Sequence, residues 1–534
     1  MTTSTTDVLI VGAGPTGLTL ALELSAQKVP FRIVDKLPAP SDKSRALAVQ
    51  CRTLELLSRH PNVAESMLSN GVQGPGVNIF CNQRHLVTGT FDDLGFDDTR
   101  FPLPLWCSQA DTEAAMTAQL EAYGGVVERG IAAEDITQDG DSASAVLVRA
   151  SGEREKIQAK YIVGCDGAHS VVRKAAHLTF DGAQYPQQFI LCDAKVKGPY
   201  DKERVSLYFA SRVMVFFPLK DGIVRVVGER SARSKNTGDP DVQEIKEFIE
   251  ENAGGSWEVS DPIWLTNFRW NCRGVNSYRD GRLFVAGDAA HIHSPAGGQG
   301  MNTGIQDAIN LGWKLGEVLR GNSGDAILDS YQAERHPVGE HLLRGTDRMF
   351  NVVASQNFIV QYIRNVLMPW VVPWVWTNQP RRRTLFNFIS QMGIKYRRSP
   401  LVGTAVGFDG PVRGGWRAPD GEVADARGEK GKWLLGLTSN KEHTFVLFSG
   451  LVSDGEEIRD AEEKLRADKR YKERGIVKIY SGQATAVEGG FRDKDGLLHK
   501  RYGFEKGAGF VVVRPDGYVG FIGPAESVEE FLST

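Results

Sequence analysis

The chain has 534 residues, more than one hydrophobic core ordinarily supports, so two or three domains are expected. A hydrophobic fraction of 41% and a mean hydropathy of -0.27 are those of a soluble globular protein. The formal net charge of -3 leaves no basic excess for nucleic acid and favours no polyanionic partner.

The opening "MTTSTTDVLIVGAG" has no positive leader and only a strand-length apolar run, so no signal peptide is expected. "DVLIVGAGPTGLTLALELSAQKVPFRIVDK" reads as strand, glycine turn, helix and second strand, one βαβ unit of a parallel sheet. Residues 71–104 break into short segments, among which the glycine-rich "GVQGPGVNIF" reads as a loop. "DTEAAMTAQLEAYG" is helical and "KYIVGCDG" is another buried strand. From 181 to 280, runs such as "RVSLYFASRVMVFFPLKDGIVRVVGER" predict a sheet-based second domain. "GRLFVAG" returns to the buried-strand pattern and leads into "GDAAHIHSPAGGQGMNTGIQDA" and a helix.

The best membrane candidate, "FIVQYIRNVLMPWVVPWVWT" at 358–377, is interrupted by Arg364, Pro369 and Pro373. A buried helix and turn is expected there, as a subunit contact or a pocket wall, and no membrane span. The Gly-rich stretch from Leu401 to Lys432 reads as a linker with entry loops. Beyond it, strand, helix, strand and a hairpin turning at Pro515-Asp516-Gly517 suggest a small domain of thioredoxin type. It contains no cysteine, so it carries no thiol chemistry. The six cysteines lie scattered without a CxxC pair, as in a reduced, cytoplasmic protein.

Gly12, Gly14 and Gly17 form GxGxxG directly after a strand and at a helix start. The first makes the turn, the second lets backbone approach a pyrophosphate, and the third lets helix and strand pack closely. Asp35 ends the second strand eighteen residues beyond Gly17, placed for a ribose hydroxyl. No second GxGxxG follows, which implies one tightly held dinucleotide. A nicotinamide donor would then dock without a Rossmann domain of its own. His291 and His293 form an HxH pair, but no third and fourth ligand is evident, so no metal is expected.

"DVLIVGAGPTGLTLALEL", "YIVGCDGAHSVVRKAA" and "GRLFVAGDAAHIHSPAGGQGMNTGIQDAINLGWKL" resemble the three signatures of the class A flavoprotein monooxygenases, the p-hydroxybenzoate hydroxylase-like aromatic hydroxylases. The C-terminal domain narrows the resemblance to the phenol hydroxylase branch. It implies an α/β architecture in which a Rossmann-like FAD-binding domain (1–70, 105–180 and 281–395) interleaves with a β-sheet substrate-binding domain (71–104 and 181–280). A thioredoxin-like α/β domain without redox cysteines (396–534) would follow, stabilising the fold or an oligomer such as a homodimer.

The resemblance also assigns roles, each beside a physical reading. Asp166 would lie near the FAD pyrophosphate and the nicotinamide path, with Ser170 capping the next helix and Arg173 holding the loop. Asp288 would bind the ribitol chain. Pro295 to Gly300 would expose backbone to a flat isoalloxazine ring. The helix after Gly300 would aim its positive end at the N1–C2 carbonyl region through the amides near Met301 and Asn302. Arg45 matches an arginine that reaches the pyrophosphate, and Gln109 a residue beside the ribityl chain.

The implied reaction uses non-covalently bound FAD, NADPH or NADH, and O2 to hydroxylate a phenolic or polyketide-type ring through a flavin C4a-hydroperoxide, with water excluded. The pocket departs from the family pattern. Phe209 aligns near a tyrosine position and Leu47 where phenol hydroxylase has an acid, which favours a larger, more apolar phenol. Tyr208 and Arg225 are the candidate phenol-orienting groups, with ordinary strand positions as the alternative. A Baeyer–Villiger or epoxidising monooxygenase is the enzymatic alternative on this fold. A non-catalytic binder resembling the Rab GDP-dissociation inhibitors (GDI-like) is the remote one.

Overall fold

The computed structural model describes the chain except residues 1, 42–45, 211, 232, 233, 235, 237, 294–296, 354, 356, 452–455, 483–488 and 534; for 346–353 it describes backbone alone. Three large sheets carry the architecture. In the first, strand Thr2–Val11 runs parallel to Phe31–Asp35 on one side and to Arg154–Gly164 on the other. Leu283–Val285 extends the parallel order beyond Arg154–Gly164. Val8, Leu9 and Ile10 are wholly buried, the continuous apolar run expected of a central parallel strand. Helix Pro15–Ala26 packs against helices Gln109–Ala122 and Gly300–Leu319.

The second sheet has eight strands, and its central members are Glu258–Val275, Phe180–Lys197, Ile223–Glu229, Val213–Pro218 and Val205–Phe209. Gly76–Cys81 joins it parallel to Val205–Phe209, with Arg84–Thr90 at the edge. The stretch expected as a loop is therefore strand from Gly76 onward; its glycines stand before and at the strand's first residue. One face of this sheet packs Ile190, Tyr208, Phe216 and Val226 against Phe248 and Ile249 of helix Val242–Ala253. Alternation puts Asp193, Val215, Phe217 and Arg225 on the other face. There Val215 and Phe217 meet Leu47, Ala48 and Trp106.

In the third sheet Thr444–Phe448 pairs parallel with Ile476–Ser481 and antiparallel with Gly509–Val513. Gly509–Val513 and Val519–Pro524 form the expected hairpin, with Gly517 at φ +68°. The supposed linker is docked structure: Gly403–Thr404 adds a strand beside Val519–Pro524, and Arg417 Nη2 donates to Asp98 Oδ2 at 2.7 Å. Gly407, Gly415, Gly428 and Gly431 take positive φ between packed segments.

Phe358–Trp376 also departs from expectation. It is one continuous helix with an exposed apolar face. The helix runs through Pro369 and Pro373; Pro369 cannot donate to the Asn365 carbonyl, which accepts from Cys81 Sγ at 3.9 Å. Among the described residues no helix is long and apolar enough to cross a membrane.

The hairpin of the third sheet is locked into the first body by buried charge. Arg514 donates to Glu334 Oε1 and Oε2 at 2.6 and 2.8 Å and to Asp516 Oδ2 at 2.5 Å. Lys314 Nζ donates to Glu334 Oε2 at 2.8 Å, and Trp313 Nε1 to Asp516 Oδ2 at 3.2 Å. Lys314, Glu334 and Arg514 have no exposed side-chain surface.

Candidate functional site

The glycine turn has the three properties a pyrophosphate needs. Gly12 sits at φ +102°, where a Cβ would overlap the Cys165 carbonyl. A Cβ on Gly17 would run into the Gly12 carbonyl. At Gly14 no atom lies within 4 Å of the Cβ position, so the turn opens onto free space. The helix begins there with no side-chain cap, leaving first-turn N–H groups for a ligand. Asp35 fixes the turn to the second strand: Oδ2 accepts from Ala13 N at 2.7 Å and Oδ1 from Leu37 N at 2.8 Å.

At the end of the neighbouring strand, Asp166 Oδ2 accepts from Val171 N at 2.7 Å. Its Oδ1 is buried with no hydrogen-bond partner among the described residues, and burial pushes the carboxyl above its ordinary range. Ser170 Oγ caps its helix by accepting from Arg173 N at 3.0 Å. Arg173 donates to Ala168 O at 2.8 Å and Ala289 O at 2.9 Å, binding this loop to the turn that carries exposed Asp288. An orphan buried oxygen beside an uncapped helix and an open turn is the arrangement a dinucleotide completes.

Thr16, in the first turn of its helix, packs against Gly287 and Gly304, which brings the start of the Gly300–Leu319 helix alongside. That helix also lacks a side-chain cap. Asn302 faces inward with no exposure: its Oδ1 accepts from Gln50 N at 2.8 Å, and its Nδ2 donates to Ala48 O and Gly298 O at 2.8 and 2.7 Å. Its side chain thus clamps the loop, and only its backbone is left for a ring. Gly300 opens the helix and Met301 is partly buried beside the core. Gln109 stands at the start of its own helix, its N–H on Ala46 O at 3.2 Å and its Nε2 on Glu113 Oε1 at 2.8 Å. Arg45 and Pro295 lie outside the described residues.

Sequence reasoning passed over three glutamines. Gln50 Nε2 donates to Gly297 O at 2.8 Å, Gln299 Nε2 to Ile389 O at 2.7 Å, and Gln391 Nε2 to Gln299 Oε1 at 2.6 Å. Gln299 stands inside the quoted glycine-rich motif; Gln50 and Gln391 had no local signal. The histidine pair has a structural partner as well. His291 Nε2 shares a hydrogen bond with Asp307 Oδ2 at 2.7 Å, and Arg335 Nε donates to Asp307 Oδ1 at 2.7 Å. Burial would raise the Asp307 carboxyl, but Arg335 and His291 hold it below its ordinary range. His293 stacks parallel on His291 with ring centroids 5.8 Å apart.

Above the loop lies the second sheet's other face. Phe217 meets Trp106 edge-on at 5.6 Å. Beside it Arg225 donates from Nε and Nη2 to Asp193 at 2.7 and 2.6 Å, with its guanidinium 5.6 Å from the Trp264 ring centre. Arg225 Nη1 is buried with no partner among the described residues. Tyr208 is not brought here. It lies on the helix side, stacked 4.6 Å from Phe80, where burial pushes its hydroxyl up to about 12. Phe209 and Leu47 are both buried, Leu47 against Trp106.

Residues 5–346 match the family described as FAD binding domain, and 446–533 match the phenol hydroxylase C-terminal dimerisation domain. The chain is 33% identical over 522 residues to 6-methylpretetramide 4-monooxygenase of Streptomyces rimosus, covering 96% of this chain and 90% of the relative. It is 29% identical to pentachlorophenol 4-monooxygenase of Sphingobium chlorophenolicum, covering 96% and 93%. The solved anhydrotetracycline hydroxylase of Streptomyces rimosus superposes with a TM-score of 0.71 at 28% identity, covering 99% and 97%. These relatives are enzymes, which removes the GDI-like reading. The chain belongs to the FAD-dependent aromatic monooxygenases of the phenol hydroxylase type.

Proposed function

We propose that this enzyme hydroxylates an electron-rich ring of a phenolic or polyketide-type aromatic. Bound FAD would take hydride from NADPH or NADH and activate O2 by the C4a-hydroperoxide route. Gly12, Gly14 and Gly17 would hold the pyrophosphate, with Asp35 and Asp166 at the dinucleotide's edges. Asp288, Gln109 and Arg45 would attend the ribityl and phosphate groups. Pro295, Gly300, Met301 and Asn302 would offer backbone to the ring. The three sheets support the division into interleaved FAD and substrate domains with a separate C-terminal domain. Homologous dimerisation domains support a homodimer, and unpaired cysteines support a cytoplasmic enzyme.

The observation that carries the substrate reading is Arg225. Asp193 fixes its plane, and Nη1 keeps one buried donor beside Phe217 and Trp264. A phenolate or peri-carbonyl oxygen would satisfy that donor. Tetracycline-type relatives support a polycyclic substrate.

The test is anaerobic reduction by NADPH or NADH against a panel of phenols and polycyclic polyketides, followed by product analysis in air. Phenol-stimulated bleaching and a hydroxylated product support the reading; a lactone or epoxide product replaces it. Arg225→Gln is expected to leave FAD content unchanged and lower kcat/KM by roughly 100-fold.

A further inference from the structure

Nine of the seventeen large apolar side chains exposed among the described residues lie on one helix, Phe358–Trp376. Phe358, Tyr362 and Trp370 are 77, 71 and 77% exposed. They and their neighbours recur every four residues from 358 to 374, forming a single stripe roughly 24 Å long. The opposite face fixes the helix in this orientation. Arg364 is buried and donates to Ala210 O, the Asn365 carbonyl accepts from Cys81, and Trp376 lies against Gly89. So large a contiguous apolar surface marks a binding face.

Charge says what covers it. From 348 to 408 there is no aspartate or glutamate, in a chain that has 66 of them, while the same 61 residues hold seven arginines and one lysine. Arg381, Arg382 and Arg383 follow at the start of the next helix, Gln379–Ile389. Arg381 lies 3.5 Å over the Trp374 ring, at the edge of the stripe. Asp93 takes the charge of Arg382 at 2.8 Å, and Arg383 stays exposed. A second copy of the chain pairing through this face would set Arg381 and Arg383 at the stripe's edge against their own counterparts. An anionic surface matches it.

We propose that the Phe358–Trp376 helix docks the enzyme on an anionic lipid bilayer, lying in the interfacial plane. The apolar stripe enters the boundary between headgroups and acyl chains, tryptophans sit at headgroup level, and the arginines meet lipid phosphates. The helix lies on the membrane and does not cross it.

The test is flotation of the FAD-loaded full chain with vesicles of phosphatidylcholine alone or with added phosphatidylglycerol, alongside sedimentation velocity. Binding to anionic vesicles is expected at least about tenfold above neutral ones, weakening with salt. Tryptophan emission should shift to the blue and be quenched by brominated acyl chains. The Trp370→Glu/Trp374→Glu pair should abolish binding, and Arg381→Gln/Arg383→Gln should lower it roughly twentyfold. Flavin absorbance and sedimentation coefficient should stay unchanged in both variants. Absent binding to anionic vesicles, equal binding to neutral ones, or indifference to the variants overturns the proposal. So does a fall in sedimentation coefficient in the tryptophan variant, which assigns the face to a second copy.

Discussion

The two ends of the Gly300–Leu319 helix meet the molecule in opposite ways. At the N-terminus there is no side-chain cap, small residues surround the first turn, and Asn302 and the glutamines hold the loop from behind. At the other end Asn310, Trp313 and Lys314 are sealed beneath Glu334, Arg514 and Asp516. The open end keeps backbone donors for a ligand. The sealed end withdraws several charges from water, which is tolerable only while every partner is present. One rigid helix therefore links the C-terminal hairpin to the Gly297–Gln299 turn, and the third sheet is part of that turn's support.

The largest effect should come from breaking the sealed end. Glu334→Ala leaves Lys314 and Arg514 buried without their shared carboxylate, and should cost about 3–5 kcal/mol. Denaturant unfolding of the FAD-loaded protein measures this, with flavin fluorescence as a second probe. If the open end depends on the sealed one, flavin release moves to lower denaturant together with unfolding. A loss under about 1 kcal/mol would mean the helix is held by packing alone.

The same contrast explains what could be read from sequence. The open end was legible because tight turns and uncapped helix starts need small residues at fixed spacing, and Gly12 to Gly17 and Gly297 to Gly300 supply them within a few positions. The sealed end was not legible. Arg514 and Glu334 stand 180 residues apart, and nothing near either announces the other. Tyr208 failed for a related reason: strand alternation says that Tyr208 and Phe209 face opposite ways, but not which face the helix Val242–Ala253 covers. Phe358–Trp376 misled because hydropathy reports how apolar a helix is and is silent on whether the fold covers it. The succession of strand, helix, strand and hairpin in the C-terminal domain and the Pro515-Asp516-Gly517 turn, by contrast, follow from local signals alone.

Titration sharpens the comparison next. Burial works against ionised Glu334, but Arg514 and Lys314 overcome it and hold the carboxyl well below its ordinary range. Its contribution is therefore complete above an unfolded value of about 4.3 and is lost as pH falls through the folded value. Asp420, at the same junction, behaves the other way. Burial pushes it up to about 7, against donors from Leu435 and Gly421. Stability should thus decline as pH rises from about 4 to about 7. Asp420→Asn should remove that decline, gaining on the order of 2 kcal/mol at pH 8 and little at pH 4. Unfolding midpoints across pH in the two proteins measure it; parallel profiles would show that the carboxyl is hydrated.

At the open end the effects should fall on binding and spare the fold. Gly14→Ala places a methyl where no protein atom lies within 4 Å, on a backbone (φ -77°) that alanine adopts freely. Stability without FAD should change by less than about 0.5 kcal/mol. FAD affinity should fall by about tenfold or more, ~1.4 kcal/mol, read by fluorescence titration. Equal losses in both quantities would place the pyrophosphate elsewhere.

The smallest effect is the most discriminating. Gly14→Ser puts a hydroxyl at the N-cap, where it can accept from the first-turn N–H groups that the helix now leaves open. Relative to glycine this should stabilise the FAD-free protein by only a few tenths of a kcal/mol. The same hydroxyl competes with phosphate for those donors, so FAD should bind more weakly than to Gly14→Ala. A cap that stabilises the empty protein while weakening its cofactor requires the donors to be shared. At Ser170, where the side chain already fills that role, Ser170→Ala should cost about 1 kcal/mol of stability directly. The opposite signs at two helix starts of one sheet then separate a terminus held open for a ligand from one closed for the fold.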